Sequence, residues 1–410
     1  MTVDLSLTGA DLLRAAAAEV CSWEEEISEA RGRQVRWVAG EYGRALAHAD
    51  HPLDSEAEAR TLFRRAAVDA YLDLAARGEL RARAVDKKRA STDNSRQTRI
   101  EVLALLAKAA GVYADLPPQP DPARKQPVPP RARSLLRTSL EEIADRGDAL
   151  PGQIRMLALG ATAVDTGARS GELCACRIED LAPSLDKARI VRRPQGWSEA
   201  EAYVELIDLS SLSRTALRRW LVERHALLER VQGTTTALWV GLRANHRGDY
   251  TVPPGTPLEP RGLYRAWTRA VDQTNQQMAG EPSWVPLPTR MEQLRRGVSP
   301  KASPAPRQPD AEQAVVLLDD VTECGRALAE SRRSGEPDTD AELEARLACR
   351  KAVRAAWAEG IEHAMQLSAL TEAGLTETAD LAAAGWEPAL LAAIERAMGW
   401  GRPSKSKAAV

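Results

Sequence analysis

Aromatic rings are scarce in this 410-residue chain, which has one phenylalanine, six tyrosines and ten tryptophans. Base stacking on single strands needs exposed rings along a basic groove, so the tryptophans read as core and domain-contact residues. Trp197, in a loop, is the exception worth testing. No apolar run approaches the ~20 residues that span a bilayer. The opening MTVDLSLTGADLLRA lacks the basic end and apolar stretch of a signal peptide, so the expectation is a cytoplasmic protein without a membrane partner. The five cysteines form no CxxC pair, which argues against a zinc site and for free thiols. His225 and His246 have no ligand-spaced partner, and neither a metal nor a cofactor is expected.

An excess of basic charge is also missing: 56 Lys and Arg against 58 Asp and Glu give a formal net charge of −2, which argues against a uniformly basic nucleic-acid coat. Its distribution is uneven. Residues 81 to 108, RARAVDKKRASTDNSRQTRIEVLALLAK, hold eight Lys or Arg against three acids. Polar Ser, Thr, Asn and Gln lie among them, side chains suited to phosphate oxygens. Arg81, Arg83, Lys87, Lys88, Arg89, Arg96 and Arg99 are therefore candidate DNA-backbone contacts.

The organisation reads as mainly α with a small antiparallel sheet. Residues 1–115 read as a helical domain, with helical apolar spacing over 8 to 113, as at Leu62, Ala66, Val68, Tyr71 and Leu72. Their last helix begins near Thr92 to Ser95 and stops at Gly111. Seven prolines between residues 117 and 130 mark an extended linker over 116–133. A second domain, 134–298, opens with two helical stretches. It then turns to strand-like ARIVRR (188–193) and YVELIDL (203–209), joined as a hairpin. ALWVGL is a short apolar strand or turn between two further helices. SPKASPAPRQPD, within a second linker at 299–310, leads to a helical extension, 311–400, and a disordered tail, 401–410. Within the extension, Gly374 and residues 376–384 have the layout of a helix-turn-helix. That second helix carries Thr376, Glu377, Thr378 and Asp380 and no basic residue, so packing or partner binding suits it at least as well as DNA reading.

Two short runs carry the chemistry. Thr166-Gly-Ala-Arg-Ser-Gly-Glu-Leu173 places a glycine where a sharp turn between two helices would aim the Arg169 guanidinium into a cleft while Glu172 helps anchor the next helix. Downstream, Glu292-Gln-Leu-Arg-Arg296 supplies Arg295 and Arg296. Two guanidiniums can hold the non-bridging oxygens of one phosphodiester bidentately without a metal.

These runs, and the order of elements between them, resemble the tyrosine recombinases, or phage integrases. The first run is similar to that family's Thr-Gly-Leu-Arg-x-x-Glu-Leu motif. The second is similar to its His-x-Leu-Arg-His/Arg motif, with Glu292 standing at the histidine. Over residues 55 to 300 the resemblance implies a helical core-binding domain followed by a catalytic-like domain. It assigns Arg169 and Arg295 to the phosphate, with Glu172 and Glu292 beside them in the site. The family's hairpin lysine is replaced, Arg193 or Gln195 standing at its place, and its nucleophilic tyrosine should follow Arg295, whereas the last tyrosine here is Tyr264. Ser299 follows the second arginine but has nothing nearby to activate it.

The expectation is a DNA-binding relative of site-specific recombinases, a pseudoenzyme with no nucleophile, whose partner is double-stranded DNA. Two alternatives stay open. One is an active recombinase with a displaced or partner-supplied nucleophile. The other is a non-enzymatic scaffold of a mobile-element or defence complex, joining another recombinase or a second copy of itself.

Overall fold

The computed structural model describes residues 3–4, 6–23, 27–82, 90–118, 129–193, 201–247, 250–282, 284–296, 298, 302–305, 309–333 and 339–398. Two compact units emerge, Met1–Lys125 and Gln126–Val410. The described residues are mostly helical with a small antiparallel sheet, and none of their helices is long and apolar enough to cross a membrane.

The first unit is built from α1 (Gly9–Cys21), α2 (Glu29–Leu46), α3 (Ala59–Leu62), α4 (Arg65–Arg77) and α5 (Asp93–Ala109). Side-chain caps set two of the starts. Ser28 accepts from the Arg31 amide at α2, and Thr92 accepts from the Ser95 amide at α5, each satisfying an orphan donor of the first turn. Leu12, Val35, Tyr71, Leu103 and Leu106 belong to its one core. Tyr42 stacks on Tyr71 at 4.5 Å, and the Tyr71 hydroxyl donates to buried Glu41.

The second unit begins with α6 (Pro130–Asp145), α7 (Pro151–Thr166) and α8 (Ser170–Ala175). Strands β1 (Lys187–Arg192) and β2 (Tyr203–Asp208) follow, then α9 (Ser211–Arg230), the short pair β3 (Asn245–Arg247) and β4 (Tyr250–Val252), α10 (Pro260–Gln277) and α11 (Met291–Arg295). Next come β5 (Ala302–Pro304), α12 (Ala311–Arg333), α13 (Asp340–Ala358), α14 (His363–Glu372), α15 (Thr378–Ala383) and α16 (Pro388–Met398). The main sheet is antiparallel in the order β1-β2-β5. Its third strand lies inside the stretch read as a linker. Pro304 is tolerated there because an edge strand does not need every amide.

Alternation along β1 separates two faces. Ala188 and Ile190 turn into the main core, where Leu157, Leu173, Trp220 and Trp267 also sit. Arg189 faces the other way and lies 4.5 Å over the ring of Trp357, which packs with Leu206. The extension is thus one body with the domain before it, for Val321, Leu328, Leu367, Leu390 and Ile394 share the main core. Its proposed recognition helix is only the six-residue α15. Gly374 does take a left-handed φ of +94°, but Asp380 of α15 is tied to Arg332 of α12 at 3.1 Å.

The apolar ALWVGL run forms isolated bridges at Ala237 and Val240 rather than a strand. Buried arginines satisfy carbonyls in and just before it: Arg224 donates to Ala237 and to Thr235, and Arg155 to Val240 at 2.7 Å. Burial without a touching carboxylate pulls both guanidiniums down to about 10.

Candidate nucleic-acid interface

The first arginine run folds as expected of its glycine. α7 ends at Thr166, Gly167 takes φ +60°, and Arg169 becomes the residue preceding α8. Only glycine adopts that backbone freely. The Arg169 side chain is one-third exposed and its Nη1 donates to the Arg193 carbonyl at 2.7 Å and to Glu172 at 3.3 Å. Its buried Nε has no hydrogen-bond partner.

Glu172 is 4% exposed, and such a charge persists only when its lone pairs are filled. Four donors fill them. The Arg169 amide reaches Oε2 at 2.8 Å and Arg192 Nη1 reaches it at 3.2 Å, while Arg169 Nη1 and the Arg193 amide reach Oε1 at 3.3 and 3.4 Å. Arg193, the residue near the lysine position of the resemblance, contributes its main chain here, its carbonyl accepting from Arg169 and its amide donating to Glu172. Beside this turn, Asp165 accepts from the Ser210 amide, the Ser210 and Ser213 hydroxyls and Arg137. Those bonds fix the end of α7 to the start of α9.

The second run lies on α11. Arg295 holds Glu292 with both forks, at 2.6 and 2.5 Å, and Arg296 holds the same carboxylate at 3.2 Å. Burial pushes the Glu292 carboxyl up, but the hydrogen bonds and charge of Arg295 and Arg296 outweigh it, and the group stays below the usual glutamate value. The two runs meet at the backbone. A methyl group placed at Gly167 would sit 3.6 Å from Val298 and 3.9 Å from the Arg295 carbonyl oxygen. Segments more than a hundred residues apart thus share one corner of the unit. Their guanidiniums are not bare, since each rests against a glutamate.

The basic stretch belongs to the first unit, and its arginines differ in burial. Arg81 is half-buried with a guanidinium nitrogen 3.5 Å from the Ala90 carbonyl, and Arg96 is half-buried on α5. Arg99 corrects the expectation of a phosphate contact. It is 4% exposed, pairs with Glu41 at 2.6 Å and bonds Ser91, while Trp37 covers it at 4.9 Å. A guanidinium enclosed in this way cannot meet a DNA backbone. Arg83, Lys87, Lys88 and Arg89 lie outside the described residues, as do Gln195, Trp197 and Ser299.

Arg192 is the residue that the sequence reading missed. It is 12% exposed and uses every guanidinium nitrogen: Nε on Glu205 at 2.6 Å, Nη1 on Glu172 at 3.2 Å and Nη2 on the Thr166 carbonyl at 2.6 Å. The signal was its phase, for in ARIVRR it falls on the same face as Ala188 and Ile190, where a solvated charge would not stand.

Cys174 and Cys176 of the same region are free thiols. Burial, reinforced by the charge of Glu259, pushes Cys174 up to about 12, and burial pushes Cys176 still higher, so neither supplies a thiolate. Tyr264 lies on α10, about half exposed. In the first unit, His48, Asp50 and Glu79 bring ligand-type atoms within 4.8 Å of one another. Arg77 already pairs with Asp50 at 3.5 Å and with Glu79 at 2.9 Å, which makes the group an ion-pair network.

No protein-family model matches the sequence, and no curated protein matches it. Among solved structures, a crystal structure of XerA recombinase is similar at 15% identity over 70% of this chain and 81% of that one, with a TM-score of 0.26. XerH site-specific recombinase, in a pre-cleavage complex with its difH substrate, is similar at 11% identity over 72% of this chain and 86% of that one, with a TM-score of 0.43. Likeness at this level carries neither fold nor function across to this chain.

Proposed function

We propose that this chain is a duplex-DNA-binding protein related to the tyrosine recombinases, one that grips the phosphate backbone without cutting it. The supporting observation is the corner where the Gly167 turn meets the Arg295 main chain, so that the two arginine-bearing runs face one neighbourhood. Arg169 and Arg295 hold a backbone phosphate, with Arg296 beside them and Arg81, Arg96 and the 83–89 stretch adding contacts from the first unit. A phosphate bound here displaces Glu292 from Arg295, because that carboxylate is partly exposed whereas Glu172 is enclosed. Strand cleavage by the family's route needs a phenol that becomes covalently attached to DNA, and no tyrosine follows Tyr264 in these 410 residues.

Fluorescence anisotropy with a labelled duplex, titrated with salt, tests the reading. Affinity should fall steeply as salt rises, and Arg169→Gln and Arg295→Gln should each remove about one ion from the salt slope. Binding that stays flat between low and physiological salt overturns it. A nicked suicide duplex should give no covalent adduct, and an adduct would establish a displaced nucleophile instead. The carboxylate pairing of both arginines favours a second reading, a scaffold that holds a protein partner. It predicts a stable protein complex and no DNA affinity.

A further inference from the structure

Glu172 faces two guanidiniums, and the division of its charge between them decides what Arg169 can do. If Arg169 were its sole cationic partner, the carboxylate and the arginine would close on one another and leave little positive potential for a phosphate. Here the carboxylate is shared. Arg192 approaches Oε2 at 3.2 Å and Arg169 Nη1 stands 3.3 Å from Oε1, a long contact beside its 2.7 Å bond to the Arg193 carbonyl. Arg192 is held in turn by Glu205 and by the Thr166 carbonyl, the last residue of α7 before the turn. One side chain therefore joins the end of α7, the start of α8 and both long strands.

From this juxtaposition we infer that Arg192 is a positioning residue for Arg169: it takes up the charge of Glu172 and fixes the turn, leaving the Arg169 guanidinium available to a backbone phosphate. The inference rests on the DNA-binding reading above and deepens it. Arg192 itself does not touch DNA, since it is 12% exposed and all three of its nitrogens are engaged. Lysine cannot replace it, because a single ammonium offers a point charge where the guanidinium fork reaches three acceptors in different directions.

Four full-length chains test it on one labelled duplex at fixed low salt: native, Arg169→Gln, Arg192→Lys, and the double variant. Arg192→Lys should weaken binding about as much as Arg169→Gln, roughly tenfold, the scale of one charged phosphate contact. The double variant should be within about twofold of Arg169→Gln alone, because the two act through one guanidinium. Multiplicative losses, or native binding by Arg192→Lys, overturn the inference while leaving the DNA reading intact. Native binding by Arg169→Gln overturns the inference and moves the phosphate contact away from Arg169, whereas no binding by the native chain sinks the DNA reading and the inference with it. A thermal melt accompanies each variant. Should Arg192→Lys not fold, Glu205→Gln loosens the same arginine from β2, and it too should lose affinity only where Arg169 is present.

Discussion

At the first arginine turn the carboxylate is enclosed, Glu172 exposing 4% of its side chain; at the second it is open, Glu292 exposing 40%. Both pair with arginine, yet the physics differs. Four donors surround Glu172, two of them main-chain amides, so the charge belongs to the scaffold. Glu292 is held by two guanidiniums close to it in sequence, Arg295 of its own short helix and Arg296 just past its end. It is a counter-ion that a phosphate can replace.

Removing each carboxylate should expose the contrast. Glu172→Ala leaves the Arg169 and Arg193 amides without an acceptor in a dry place and takes one of two carboxylates from Arg192, and should cost about 2–4 kcal/mol, the penalty for unsatisfied buried donors, read by denaturant unfolding. A loss under about 1 kcal/mol would put Glu172 in the same class as Glu292. Next in size is Gly167→Ala. The new methyl meets only ordinary contacts, so the φ of +60° accounts for an expected loss of about 1–2 kcal/mol. A neutral result would mean that the turn relaxes.

Glu292→Gln should change stability by less than about 1 kcal/mol and raise duplex affinity roughly tenfold, by removing one competing charge. Weaker binding by this variant would make the carboxylate part of the grip rather than a rival of the phosphate.

The smallest expected effect is on pH. Because Glu292 is held below its ordinary 4.5 in the folded chain, its ion pairs contribute stability that is complete above that value and is lost as pH falls through the lower folded one. Over the same window the two arginines are released. A small acid-side gain in duplex binding should therefore appear in the native chain and be absent from Glu292→Gln. An identical gain in both would trace it to another group.

Much of this architecture was legible. ARIVRR and YVELIDL mark the strands to within a residue, because β-branched alternation is a local signal, and the glycines at 111, 167 and 374 all adopt left-handed φ. Harder to read were features set by distant partners. Arg99 shares a helical face with Leu103 and Leu106, so its phase hinted at burial, but Glu41 lies 58 positions away. The edge strand Ala302–Pro304 is recruited by β2, and nothing in its own proline-rich sequence announces it. At the site, the turn and its glutamate were visible as a motif. Arg192 was not, because a guanidinium on an inward face makes sense only when Glu172, Glu205 and Thr166 are already around it.

Trp357 has a practical corollary for anyone who trims this molecule. Its indole backs the strand hairpin from behind, lying against Leu206 and under Arg189 and donating to the Glu179 carbonyl. A fragment ending at residue 298 would lose that backing along with β5, baring one face of the hairpin and an unpaired strand flank, a recipe for self-association. Truncations designed by motif alone would then fail for reasons unrelated to DNA.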